Sequence, residues 1–127
     1  MKLRINGNSL RLRLTPTEVA QLCNNGKAED RCKIGDHQCI YSIVTYEDDQ
    51  LSVNMINGKV QVNIPKSFVK GWQKNDVTGF EYTDHNDLLI LIEKDFKCLQ
   101  PRRHEQEQSL YPNPHKKCVI SPIIFKK

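Results

Sequence analysis

LSVNMINGKVQVNI, residues 51–64, alternates apolar and polar side chains on both sides of Asn57-Gly58. Asn-Gly is the pair that a two-residue type I′ turn takes, because both central residues need positive φ. Folding about that turn pairs Met55 with Val60, Val53 with Val62 and Leu51 with Ile64. Those six side chains share one face. Ser52, Asn54, Gln61 and Asn63 share the other, which is polar but uncharged: a solvated face or the lining of a shallow site. A hairpin this well marked makes the chain a sheet builder.

Downstream, PKSFVKGWQKND (65–76) predicts a short helix from Pro65, with Phe68, Val69 and Trp72 on one side and Gly71 as a weak point. Trp72, the only tryptophan, is expected to anchor the core. GFEYTDHNDLLILIEKD (79–95) predicts a second hairpin turning at His85-Asn86. Its Leu89–Ile92 run is apolar on both faces, as a central strand requires.

Upstream, KLRINGNSLRLRL (2–14) alternates with a slip at Asn6-Gly7. An Asn-Gly turn there would pair Leu3 with Leu10 and Ile5 with Asn8; a bulge at Gly7 is the alternative. Both place Arg11 and Arg13 on the face opposite the leucines, with Arg4 beside them. In TPTEVAQLCNNG (15–26), Thr15 is a good N-cap, Pro16 suits the first helical position and Glu18 completes a capping box. Val19, Leu22 and Cys23 form the apolar stripe, so Cys23 reads as core. EDRCKIGDHQCIYSIVTYEDD (29–49) predicts two strands about Gly35-Asp36, the second of them central. No repeat of 20 to 50 residues is visible.

The fold class expected is α+β: a mainly antiparallel, twisted sheet of hairpins with two short helices. Residues 1–97 form the sheet-and-helix domain. Residues 98–127 hold four of the six prolines and predict an extended C-terminal arm packed on that domain.

At 127 residues the chain can close one core unaided. No apolar run approaches the roughly 20 residues that span a bilayer. The opening MKLRINGNSL lacks the apolar stretch of a signal peptide, which sets a cytoplasmic expectation. Residues 1–97 carry 13 Lys/Arg and 13 Asp/Glu, whereas residues 98–127 carry six Lys/Arg against two Glu, so the whole +4 excess is C-terminal.

Three chemistries deserve weighing. Cys98-x5-His104 and His115-x2-Cys118 offer two thiolates and two imidazoles, a donor set for zinc or copper(I). CxxC, the strong zinc signal, is missing. Arg11 and Arg13 point to one side of a strand and can hold a phosphate or carboxylate. The alternative there is pairing with carboxylates of a neighbouring strand. Tyr41, Tyr46 and Tyr82 are the aromatics that would stack bases, but no RNA-binding signature accompanies them, which weighs against nucleic acid. Cys98 with His104 is the remaining option, a thiol nucleophile with its base. No nucleophile elbow, HExxH, P-loop or GxGxxG is present, so a binding protein is expected rather than an enzyme. An exposed sheet edge or the apolar VISPIIF (119–125) would serve a homodimer.

KLRINGNSLRLRLTPTEV near the start and EKDFKCL…YPNP near the end together resemble a small bacterial domain-of-unknown-function family. The likeness covers residues 1 to about 114. It implies a single domain that includes the Cys98-to-Pro114 segment and brings no activity with it. HKKCVISPIIFKK lies beyond it, which favours a site centred on Cys98 over one that needs His115 and Cys118.

Overall fold

Local signals place the elements where the sequence predicts them. The computed structural model describes residues 1–96. It contains β1 (Lys2–Asn6), β2 (Ser9–Leu14), α1 (Pro16–Asn25), β3 (Lys27–Ile34), β4 (His37–Tyr46), β5 (Ser52–Ile56), β6 (Lys59–Pro65), α2 (Lys66–Val69), β7 (Gly79–Thr83) and β8 (Leu89–Lys94). The predicted arm, 98–127, lies outside the described residues.

The Asn57-Gly58 hairpin forms in the expected register, Met55 opposite Val60 and Val53 opposite Val62, with φ of 52° and 76° at the turn. The first hairpin differs. Its turn residues are Gly7 and Asn8, and Leu3 meets Leu12 while Ile5 meets Leu10. Gly7 alone takes positive φ, 59°, as a type II′ turn requires of its first central residue. The pairing therefore moves by two residues, and every side chain keeps its face.

Helix α1 is bounded by its own chemistry. Thr15 caps it reciprocally with Glu18, Pro16 opens it, and Gly26 closes it at φ 79° by donating its N–H to the Leu22 carbonyl at 3.0 Å. Cys23 is half-buried and donates Sγ–H to the Val69 carbonyl at 3.3 Å, a packing role. Helix α2 is a single turn. Trp72, just beyond it, is fully buried, packs on Phe80 at a ring distance of 4.9 Å and donates its Nε1–H to the Val77 carbonyl at 2.8 Å.

The hairpins assemble into two four-stranded sheets, ordered β1-β2-β8-β7 and β3-β4-β6-β5. Both are mixed, mainly but not purely antiparallel: two of the three ladders in each are antiparallel, while β2 runs parallel to β8 and β4 parallel to β6. Turn chemistry sets the register inside a hairpin. The contact of Leu10 with Ile90 joins hairpins remote in sequence, and local alternation looks the same whichever way they dock.

A repeat emerges that the sequence hides. The order ββαββ occurs twice, and mapping β1, β2, α1, β3, β4 onto β5, β6, α2, β7, β8 turns one sheet order into the other. Buried Leu10, Leu12, Leu14, Val19 and Leu22 correspond, 50 positions on, to buried Val60, Val62, Ile64, Val69 and Trp72. Ile43 of β4 and Ile92 of β8 complete the set in one core cluster. Equivalent positions match in apolarity, and only Val19/Val69 and Ile43/Ile92 match in identity. Each such side chain removed from water stabilises the fold by about 1.5–3 kcal/mol.

Candidate oxyanion site on the outer face of β1 and β2

Core leucines on β2 force its alternate residues outward. Arg11 and Arg13 therefore share the outer face of the first sheet with Lys2 and Arg4 of β1. Across the ladder, Arg4 lies opposite Arg11, which lies opposite Leu91; Lys2 lies opposite Arg13, which lies opposite Glu93. Four cations thus occupy adjoining positions on two strands.

Glu93 lies directly opposite Arg13 and is only 6% exposed. Its Oε1 lies 3.4 Å from Arg13 Nε, which donates to it, and 3.6 Å from Arg11 Nε. Glu93 Oε2 is buried and accepts no hydrogen bond from a described residue. Pairing with a neighbouring-strand carboxylate, the alternative weighed for Arg11 and Arg13, is therefore real but incomplete. Lys2 pairs with Asp95 at 3.0 Å. Among the described residues Arg4 has no ion-pair partner.

Burial pushes the pKa of Arg11 below the ordinary arginine value; Glu93 partly offsets this, and the neighbouring charges of Arg13 and Arg4 add to it. Crowded, partly desolvated guanidinium groups of one sign gain from an added anion. Space for one exists. A shallow concavity of about 130 Å³ is lined by Arg4, Asn6, Ser9, Arg11 and Leu91. At about 30 Å³ per water it holds a few waters or one small oxyanion, well short of the roughly 300–1,000 Å³ of a small-molecule pocket.

The equivalent positions of the β5–β6 hairpin are uncharged. Fifty positions on from Lys2, Arg4, Arg11 and Arg13 stand Ser52, Asn54, Gln61 and Asn63. These amides satisfy one another: Asn63 Nδ2 donates to Asn54 Oδ1 at 2.9 Å and to Ser52 Oγ at 3.0 Å, while Gln61 Nε2 donates to Asn63 Oδ1 at 2.9 Å. The polar, uncharged residues read from the hairpin are joined in one hydrogen-bonded network centred on Asn63.

The aromatics do not join the cationic face. Tyr82 pairs with Ile90 on the core side and hydrogen-bonds Gln50 at 2.8 Å, Tyr46 is bound to Gln50 and Ser52, and Tyr41 lies in the other sheet, partly buried against the core. A base-stacking platform is thus not built around Arg11. Cys98, His104, His115 and Cys118, the metal set read from the sequence, lie outside the described residues, as do the thiol-catalysis pair, VISPIIF and the basic residues beyond Lys97. Among the described residues no three His, Cys, Asp or Glu side chains form a metal-ligand cluster, and no helix is long and apolar enough to cross a membrane.

Two features escaped the sequence reading. Glu93 ends an apolar run, yet its phase opposite Ile90 and Ile92 already sends it outward beside Arg13. Cys32 and Cys39 stand directly opposite on β3 and β4, a pairing implicit in the Gly35-Asp36 turn.

The model of a family of unknown function, DUF7009, matches residues 1–115. No curated protein and no solved structure matches the chain.

Proposed function

We propose that this chain, which belongs to the DUF7009 family, is a binding module whose outer β1–β2 face captures an oxyanion group, phosphate or carboxylate, displayed by a larger partner. The observation that carries the reading is the imbalance at that face: Arg11 and Arg13 share one buried carboxylate, and Arg4 beside them lines an open concavity with no ion-pair partner among the described residues. A concavity of this size accepts a group, not a metabolite, which supports recognition of a macromolecular partner. Guanidinium groups hold charge but neither take nor release a proton near neutral pH, which supports binding rather than acid–base catalysis.

The test is a two-dimensional NMR titration of the ¹⁵N-labelled full chain with inorganic pyrophosphate. Saturable shifts at Arg4, Asn6, Ser9, Arg11 and Leu91 are expected. Shifts confined to other surfaces, or none at millimolar pyrophosphate, would remove the reading.

A further inference from the structure

The β3–β4 hairpin carries a second site, unconnected with the arginine face. Cys32 and Cys39 are directly opposed in its ladder; Cys32 is exposed and Cys39 half-buried. Gly35-Asp36 forms the two-residue turn, with Gly35 at φ 62°, and fixes the two cysteines in register. In the second half of the chain, the ladder position that matches this pair is held by Asp84 and Leu88, where the hairpin already turns. The cysteines therefore begin an extension that only the first half possesses.

The ladder's phase decides what this pair can do. Thr45 N–H donates to the directly opposite Gly26 carbonyl at 2.9 Å, so that pair is a hydrogen-bonded one. Counting every second pair along the register makes Ala28–Ile43, Asp30–Tyr41 and Cys32–Cys39 hydrogen-bonded pairs as well. Opposed Cβ atoms at such pairs lie at the wide end of the range, about 5.5 Å. A relaxed disulfide needs about 3.8 Å. Closing that gap would strain the hairpin. Two thiolates about one soft ion need sulfurs about 4.6 Å apart, twice a metal–thiolate bond of about 2.3 Å. That separation is reached by a small inward lean of the side chains.

We propose that Cys32 and Cys39 form a two-thiolate site for a soft monovalent metal ion, copper(I) in class. Thiolates select copper(I). Zinc would want four donors, and the described residues supply no third one here. Binding releases the two thiol protons and changes no oxidation state.

The test supplies copper(I) anaerobically as its bicinchoninate complex to the reduced full chain. Wild type and the Cys98→Ser/Cys118→Ser variant are expected to take up one copper(I) each, with an X-ray absorption edge typical of two sulfur ligands. Cys32→Ser and Cys39→Ser, with unchanged circular dichroism, are expected to bind at least about 100-fold more weakly. Undiminished uptake by either single variant, or loss of uptake in the Cys98→Ser/Cys118→Ser chain, would overturn the assignment. So would a Cys32–Cys39 disulfide that forms fully in a glutathione buffer in place of copper binding.

Discussion

Gly79 faces Glu93 across the β7–β8 ladder, and a Cβ at position 79 would stand 2.9 Å from Glu93 Cα and 2.3 Å from the Ile92 carbonyl oxygen. The close approach of β7 is open to glycine alone, and it leaves room for the buried Glu93 side chain that Arg11 and Arg13 enclose.

Gly79→Ala should therefore cost about 1–3 kcal/mol, because the clash is with backbone atoms that cannot swing aside. Urea unfolding measures it. A change below about 0.5 kcal/mol would mean that β7 moves away freely.

Glu93→Gln should change stability and binding in opposite directions. Arg11 and Arg13 lose the charge they share, and because both are partly exposed, the stability lost is about 1 kcal/mol at most. The same variant removes an internal competitor, so pyrophosphate should bind up to about fivefold more tightly. Calorimetry of the two chains reads the difference. Weaker binding would show Glu93 to be part of the recognition surface.

Leu12→Ala should destabilise the fold by about 2–5 kcal/mol, since Leu12 is fully buried at the centre of the cluster. Its repeat equivalent, Val62, is as deeply buried, and Val62→Ala should unfold the whole domain in one transition too. Separate melting of the two halves, followed by tryptophan fluorescence and far-ultraviolet dichroism, would contradict the single shared core.

Asp84 provides a pH test. The Leu88 N–H, with a further contribution from Asn86, holds its carboxyl below the ordinary aspartate value of 3.8. A depressed folded pKa adds stability above pH 3.8 that is lost as pH falls through the folded value. A ¹³C carboxyl titration should place the Asp84 midpoint below 3.8. A midpoint at or above that value would show that the loop hydrogen bonds do not favour the charged form.

What the sequence disclosed was local. Asn57-Gly58 fixed one register, Thr15 with Glu18 fixed a helix start, and alternation sent Arg11 and Arg13 outward. What it withheld depends on contacts between remote segments. The parallel docking of β2 on β8 leaves every residue on the face that an antiparallel neighbour would also give it. The repeat escaped because Leu12 and Val62 share a role without sharing an identity. At Gly7 the turn took glycine first, not Asn-Gly, and carried the pairing two residues along. The cationic site was half visible: its arginines were read from period-two alternation, but the carboxylate between them belongs to a strand 80 positions away. The cysteine pair was missed, although the Gly35-Asp36 turn that was read already sets Cys32 against Cys39.

The most direct test of the oxyanion reading is the pyrophosphate affinity of Arg4→Gln. Among the described residues Arg4 has no ion-pair partner, so its replacement should leave stability within about 0.5 kcal/mol of wild type. Loss of a charge-assisted hydrogen bond worth about 1.5–3 kcal/mol should weaken binding by about 10- to 100-fold. An Arg4→Gln chain that folds normally and binds pyrophosphate as tightly as wild type would contradict the assignment of this face.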